Sequence, residues 1–247
     1  MSWFEKIPTM ERQELRDLKK YIDISFKDFS RTYGDGIETF FDPLLYFLVW
    51  FEKLLINAHW PLIIIVIAIM AWIGSRSWLV VAGTICSFLV IGYFGMWEDT
   101  MSTLAIISVS TLLCISVGIP IGILMSRSDR LQSMVTPVLD VMQTIPSFVY
   151  LIPVVMLLGI GKVPGLIAVC IYALPPIVRL TNLGIRLVDK EVLEASESFG
   201  ASYSQKLFGV QIPLALPNIF AGVNQTIMMA LAMVRSEEHT SELQSLA

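Results

Sequence analysis

Charged residues are scarce in this sequence. They make up 15% of its 247 residues, whereas soluble domains carry about 25%. Most of them cluster in residues 1–42, 126–130 and 179–206, and long apolar stretches lie between these clusters. This distribution is typical of a chain that crosses a membrane. The formal net charge of -4 gives no support to nucleic-acid binding, which needs a basic face, so no nucleic-acid partner is expected.

Residues that could carry catalysis are also few. Cys86, Cys114 and Cys170 lie far apart within apolar runs, so we expect them to pack between helices rather than pair or bind a metal. His59 has no acidic neighbour in the sequence. The chain lacks a glycine-rich loop followed by Lys-Ser or Lys-Thr, so it is not expected to bind ATP itself. We therefore expect no enzyme, no cofactor and no metal site in this chain.

What the sequence does contain is a series of apolar segments. A membrane span needs about 20 residues to cross about 30 Å of hydrocarbon. We expect helices at Trp60–Gly74, Trp78–Met96, Met101–Met125, Pro137–Ile160 and Val163–Val178, and a sixth from about Leu214. The sequence thus predicts an all-α membrane protein, a polytopic bundle of transmembrane helices.

The amino-terminal part, residues 1–42, is polar and partly amphipathic. Its apolar residues recur at helical spacing, with basic residues between them: Leu15, Leu18, Ile22, Phe26 and Phe29, with Arg12, Arg16, Lys19 and Lys20. This favours a helix lying on a membrane surface or a partner, or an ordinary solvated helix. The transmembrane domain is expected to occupy residues 43–234. Whether residues 43–56, which include Glu52 and Lys53, form a first span stays open at this point.

Basic residues indicate the orientation of the spans. If the polar loop from residue 179 is cytoplasmic, alternation also places Arg76, Arg127 and Arg130 inside and Lys162 outside. This satisfies the positive-inside rule. The amino terminus is then inside if residues 43–56 cross and outside if they do not.

Prolines and glycines interrupt the apolar segments. Pro120, Pro146, Pro153, Pro175 and Pro176 each remove a helical hydrogen bond, and Gly118 and Gly122 form a pair suited to close helix approach. Such breaks are tolerated in lipid where the backbone faces protein or a water-filled path. They favour a transporter over a static anchor.

The polar loop, residues 179–217, is the most informative part of the sequence. It has helical periodicity, and its apolar positions are Leu183, Leu187, Val188, Val192, Leu193, Phe199 and Leu207. Gly200 is a helix stop, and Pro213 and Pro217 mark the entry to the next span. We expect two short helices joined at Gly200, with the apolar face held against the body of the protein.

Within this loop, Glu194-Ala195, Gly200 and Val210-Gln211-Ile212-Pro213 resemble a known motif. It is the Glu-Ala-Ala loop of binding-protein-dependent ABC importer permeases, and its spacing is matched throughout. Ser196, Val210 and Ile212 are conservative departures. The resemblance implies that Glu194, Ala195, Gly200, Val210, Ile212 and Pro213 form a coupling helix and its flank, which dock on an ATPase subunit.

A narrower resemblance covers residues 40–234. Runs such as PVLDVMQTIPSFVYLIPVVMLLGIGKVPG and ALPNIFAGVNQTIMMAL are similar to the permeases for glycine betaine, proline betaine and choline. The resemblance implies an importer-permease fold, a multi-pass place in the bacterial inner membrane, and uptake of osmoprotectants. It also implies three partners: an ABC ATPase that binds ATP, a second permease copy and a substrate-binding protein.

Polar residues at membrane depth are candidates for the translocation path. They are Gln143, Thr144, Pro146, Phe148, Tyr150, Asn224 and Gln225. For Asp140 we favour a capping role at the cytoplasmic interface. For Asn224 and Gln225, hydrogen bonds between helices are an alternative to ligand contact.

The last residues, 235–247, differ from the rest. Arg235 to Ser245 resembles the in-frame translation of a sequencing-library adapter. We expect this tail to be non-native and the permease domain to be incomplete, because the betaine permeases continue with a further span.

Two other functions remain open on the sequence alone. A permease of the same fold could serve another small solute such as an amino acid, and an ATP-independent channel is a second alternative. A membrane-embedded enzyme is disfavoured because no catalytic cluster is present.

Overall fold

The computed structural model describes the backbone of residues 12–158 and 161–245 and most side chains as far as Val234. The side chains of Ile22, Phe26, Phe29 and Phe148, and those of the tail from Arg235, lie outside the described set. All regular elements of the described part are helical: α1 (Arg12–Asn57), α2 (Trp60–Ser75), α3 (Trp78–Tyr93), α4 (Trp97–Arg127), α5 (Asp129–Thr144), α6 (Ser147–Leu158), α7 (Lys162–Arg186), α8 (Lys190–Ser198), α9 (Tyr203–Lys206), a π-helix (Leu207–Gln211) and α10 (Ile212–Ser245). The all-α bundle is confirmed.

By length and composition, three described helices can cross a membrane: α4, α7 and the run Tyr203–Val234. Two bent pairs raise the number to five if each pair is one span. In the first, Phe41–Asn57 meets α2 at 106°. Helices α2 and α3, with 16 residues each, correspond to the expected segments from Trp60 and Trp78 and pack mainly on each other.

The expected single helix Pro137–Ile160 is wrong. The chain instead forms α5 and α6, and the axes of Asp129–Thr144 and Val149–Leu158 meet at 93°. Ile145 has extended backbone angles, φ -78° and ψ 130°, because the ring of Pro146 disfavours a helical residue before it. The hydroxyl of Tyr150 donates to the carbonyls of Val141 and Met142, at 2.9 and 2.7 Å. The Met142 carbonyl has no partner within the helix, because the residue four positions later is Pro146, whereas the Val141 carbonyl also accepts from the Ile145 amide at 3.2 Å.

Helix α7 lies at the centre of the bundle, between α4 and α10. A Cβ atom on Gly122 would lie 2.8 Å from the carbonyl oxygen of Val178 and 2.6 Å from Cβ of Thr181. A Cβ on Gly184 of α7 would lie 2.8 Å from Cβ of Asn218 on α10. In lipid, close packing rather than the hydrophobic effect holds helices together. Glycine at these positions therefore sets the distances between the three central helices.

Gly122→Ala should destabilise the bundle by about 1–3 kcal/mol, because the added methyl group overpacks the contact between α4 and α7. Thermal unfolding of the purified protein in detergent would measure the loss. Gly83→Ala in α3 is the matched control, since a Cβ there meets nothing within 4 Å. Equal unfolding temperatures for the two variants would contradict this account of the contact.

Helix α1 runs antiparallel to α4. Near its end, Glu52 accepts a hydrogen bond of 2.7 Å from Ser102, close to the start of α4. Earlier in α1, Leu44 and Phe47 line an apolar cavity of about 660 Å³ together with Leu113, in the second half of α4. The amino-terminal end of α1 therefore lies at the same end of the bundle as the carboxyl end of α4. The helix continues unbroken through residues 42 and 43, and the described apolar side chains of its polar part, Leu15 and Leu18 among them, are exposed.

This packing predicts that residues 43–56 cross the membrane and that the amino terminus is cytoplasmic. A cysteine replacing the exposed Tyr21 should react with a membrane-impermeant maleimide only in inside-out vesicles. A cysteine replacing the exposed Tyr93, the last residue of α3, should react only in right-side-out vesicles. Labelling of both positions from one side would contradict the assigned direction of α1.

Candidate functional site

The candidate site is residues 187–213, which connect α7 to the first turn of α10 and are called here the coupling segment. Helix α8 begins at Lys190, because the Asp189 side chain caps it and accepts a hydrogen bond of 2.9 Å from the amide of Glu191. An acidic N-cap followed by an acidic first turn suits the positive end of the helix dipole. The start of α8 is thus fixed by local chemistry.

Gly200 ends α8. Its φ of +78° lies in the left-handed region, which glycine adopts without strain. The amide of Gly200 donates to the carbonyl of Glu197 at 2.9 Å, and the amide of Ala201 donates to that of Ser196 at 3.1 Å. This pair of bonds is a Schellman motif. The turn expected at Gly200 is therefore present, with helices on both sides.

The second half of the segment is also capped. Ser202 and Gln205 form a reciprocal capping box at the start of α9. The π-helix Leu207–Gln211 follows and leads directly into Pro213. A proline at this point would clash with the carbonyl four residues earlier in an α-helix. The wider π-helical turn relieves that clash, and such turns occur often at functional sites.

The apolar face of the coupling segment was expected to pack on the body of the protein, and for α8 this is wrong. None of the residues of α8, all of them described, is buried. Leu187 is 64% exposed and Phe199 is 92% exposed, whereas Val188 and Leu207 are buried. The ends of the segment are therefore attached to the bundle, while α8 stands away from it. Helical periodicity identifies an apolar face but not whether the same chain covers it.

The motif residues divide between two sites. Glu194 and Ala195 are exposed on α8, and Gly200 is exposed in the turn that follows α8. Val210 lies in the π-helix, and Ile212 and Pro213 begin α10. An ion pair between Glu197 and Lys206 joins α8 to the end of α9. The motif thus consists of an exposed helix and the joint that connects it to a span.

The candidate path residues lie on α5, α6 and α10. The Gln143 amide lies 3.8 Å from the sulfur of Met229 on α10, one helical turn beyond Gln225. Thr144 and Pro146 are exposed at the end of α5 and the following bend, and Asn224 and Gln225 are exposed on α10. Gln143 therefore lies near α10, whereas the Tyr150 hydroxyl is hydrogen-bonded to the backbone of α5.

An ion pair on this side of the bundle was missed. Asp140 on α5 pairs with Arg179 on α7 at 2.5 Å, and both side chains are partly exposed. Arg179 lies seven residues before the end of α7, about 10 Å along the helix. The expected capping role of Asp140 is replaced by this contact. Nothing in the local sequence around Asp140 or Arg179 indicates this pairing.

Two contacts between the turn after α4 and the region of the coupling segment were also missed. Arg186 at the end of α7 pairs with Asp129, at the start of α5. The Arg127 guanidinium lies 4.3 Å from the centre of the Tyr203 ring. Nothing in the local sequence of either arginine indicates its partner.

Comparison with known proteins places these features in a family. The family model described as "Binding-protein-dependent transport system inner membrane component" matches residues 118–234. The "Glycine betaine/proline betaine transport system permease protein ProW" of Escherichia coli is 52% identical over 192 residues, 78% of this chain and 54% of the relative. The "Glycine betaine transport system permease protein OpuAB" of Bacillus subtilis is 38% identical over 231 residues, 93% of this chain and 79% of the relative.

The chain spans about half the length of the ProW relatives that it matches, 54% of one and 48% of another. These relatives are named as permease proteins, which are transport components and not enzymes. The identity to the Bacillus protein extends over most of both chains. The chain therefore belongs to the family of binding-protein-dependent transport system inner-membrane components.

Proposed function

We propose that the chain is the transmembrane subunit of an ATP-driven importer for quaternary-ammonium osmoprotectants such as glycine betaine, proline betaine and choline. The observation that carries the proposal is the exposed helix α8. It presents Glu194 and Ala195 with apolar residues on either side, is capped at both ends, and buries none of its described residues in this chain. Such a surface suits a protein partner. The relatives' names add the solute class.

The proposed partner at this surface is an ABC ATPase, which would bind and hydrolyse ATP. ATP-driven closure of the ATPase would move α8, and the spans would alternate between outward and inward access. A second permease copy and a substrate-binding protein complete the proposed assembly. The names of the relatives and the family description support these partners.

We further propose that the solute passes along the exposed side of α5. Gln143 and Thr144 lie there with the Asp140–Arg179 pair, and an ionisable pair at membrane depth usually faces a water-filled path or another protein surface. The bend at Pro146 leaves non-helical backbone nearby, which lipid does not tolerate but a path does. The neighbouring permease copy would close the path on its other side.

Uptake by the assembled transporter in proteoliposomes tests the function. We expect ATP-dependent accumulation of labelled glycine betaine that unlabelled choline or proline betaine reduces, and that amino acids leave unchanged. Competition by an amino acid alone would favour the same fold with another solute. Flux without ATP would favour a channel and would contradict the proposal.

A further inference from the structure

The turn between α4 and α5 lies directly beside the coupling segment. This turn, residues 125–129, is called here the elbow. Ser128 has extended backbone angles, φ -140° and ψ 115°, and its hydroxyl caps α5 by accepting from the amide of Leu131. The change of direction from α4 to α5 is therefore made at one residue, and the position of this residue determines where α5 begins.

The first flank of α8 binds the elbow through Arg186. One terminal nitrogen pairs with Asp129 at 2.7 Å, and the other donates to the carbonyl of Met125 at 2.9 Å. The Nε atom donates to Asn182 at 3.0 Å, which fixes the guanidinium plane. Arg186 thus holds both sides of Ser128 at once, from the helix that leads into α8.

The second flank of α8 binds the same turn through Tyr203. The Arg127 guanidinium lies over its ring, 4.3 Å from the centre, a cation–π distance. Tyr203 is the first residue of α9, which the Ser202 capping box holds in place. Both flanks of α8 therefore reach the elbow, while no described residue of α8 itself is buried.

These contacts suit transmission of movement better than stabilisation. The Asp129 side chain is 89% exposed, and exposed ion pairs contribute little to stability. Their geometry, however, joins the elbow to both ends of the exposed helix. A displacement of α8 would move the elbow, and α5 would carry that movement to Asp140, Gln143 and the bend at Ile145.

We infer that the elbow receives the movement of α8, and that Arg186 and Tyr203 are positioning residues that transmit it to α5. This inference rests on the proposed function, because it requires an ATPase that moves α8. It adds the route by which that movement enters the spans.

The inference is tested by the coupling ratio, which is the amount of solute transported per ATP hydrolysed. It would be measured in the reconstituted transporter with its ATPase and binding protein. Labelled glycine betaine is the probe. For Arg186→Met with Tyr203→Ala we expect this ratio to fall about tenfold while ATP hydrolysis continues, a loss within the range that coupling mutations cause.

Asp129→Asn should lower the ratio of solute transported to ATP hydrolysed by about threefold. Asp129→Asn removes an exposed carboxylate only, so its folding is not at risk. Tyr203→Phe keeps the ring and should restore coupling relative to Tyr203→Ala.

The outcomes separate this inference from the proposed function. If the wild-type transporter shows no ATP-coupled uptake, the proposed function fails and the inference fails with it. If the wild type couples and the variants keep its ratio, the inference alone is overturned. A parallel fall in assembled complex, hydrolysis and uptake, with an unchanged ratio, would assign these residues a structural role and would also overturn it.

Discussion

In the completed permease, Gly200→Glu should abolish ATP-coupled uptake by the assembled transporter while leaving membrane insertion intact. The residue has φ +78°, and a side chain there costs about 1–2 kcal/mol. A Cβ atom at this position meets nothing within 4 Å in the described chain, so the bundle itself is undisturbed. The strain would change the direction of α8, and the new carboxylate would lie beside Glu197 at the proposed docking surface. Uptake of labelled glycine betaine, with membrane-fraction immunoblotting for insertion, would measure both effects.

Gly200→Asn is the matched control for the backbone. Asparagine adopts the left-handed conformation more readily than other residues with side chains, so this variant should keep much of the uptake. Gly83→Ala controls for a glycine substitution without neighbours. Normal uptake by Gly200→Glu would count strongly against a coupling role for the segment.

Lys162→Met should destabilise the bundle more than Glu52→Gln does. The Lys162 amine lies 2.5 Å from both carboxylate oxygens of Glu52, and the Glu52 residue is 7% exposed whereas the Lys162 side chain is half-exposed. Removing the lysine leaves a buried carboxylate with Ser102 as its remaining partner in the described chain. Removing the acid leaves a lysine that can extend toward water. We expect a loss of about 3–5 kcal/mol for Lys162→Met and a smaller loss for Glu52→Gln.

Unfolding in detergent, followed by loss of helical signal, would measure the difference. The double variant Glu52→Leu with Lys162→Met removes both charges, so it should recover most of the stability that the single lysine variant loses. If the two single variants lose equal stability, or if the double variant is worse than both, the proposed arrangement of these charges is wrong.

The parts of the fold that short-range chemistry determines were predictable from the sequence. The turn at Gly200 follows from a glycine after a polar helix, and the capping box of Ser202 and Gln205 is likewise local. A close helix approach at Gly118 and Gly122 was also predicted correctly, because small residues one turn apart are a packing signal in membrane helices, but the sequence did not identify α7 as the partner.

Contacts between distant parts of the chain were not predictable in this way. Glu52 and Lys162 lie 110 positions apart, and Asp140 and Arg179 lie 39 apart. Nothing in the local pattern of either residue indicates its partner. The exposure of α8 was missed for a related reason, since an apolar face looks the same whether this chain or another protein covers it. The break at Ile145 was missed because apolar residues continue on both sides of it, although Pro146 marked its place.

Photocrosslinking from α8 tests the central claim most directly. A photoreactive amino acid in place of the exposed Ala195 should, in living cells, form a covalent product with the ATPase subunit. The same amino acid in place of Tyr93, exposed at the opposite end of the bundle, should form no such product. Crosslinking to the ATPase from both positions, or from neither, would contradict the account in which α8 is the surface that binds the ATPase subunit.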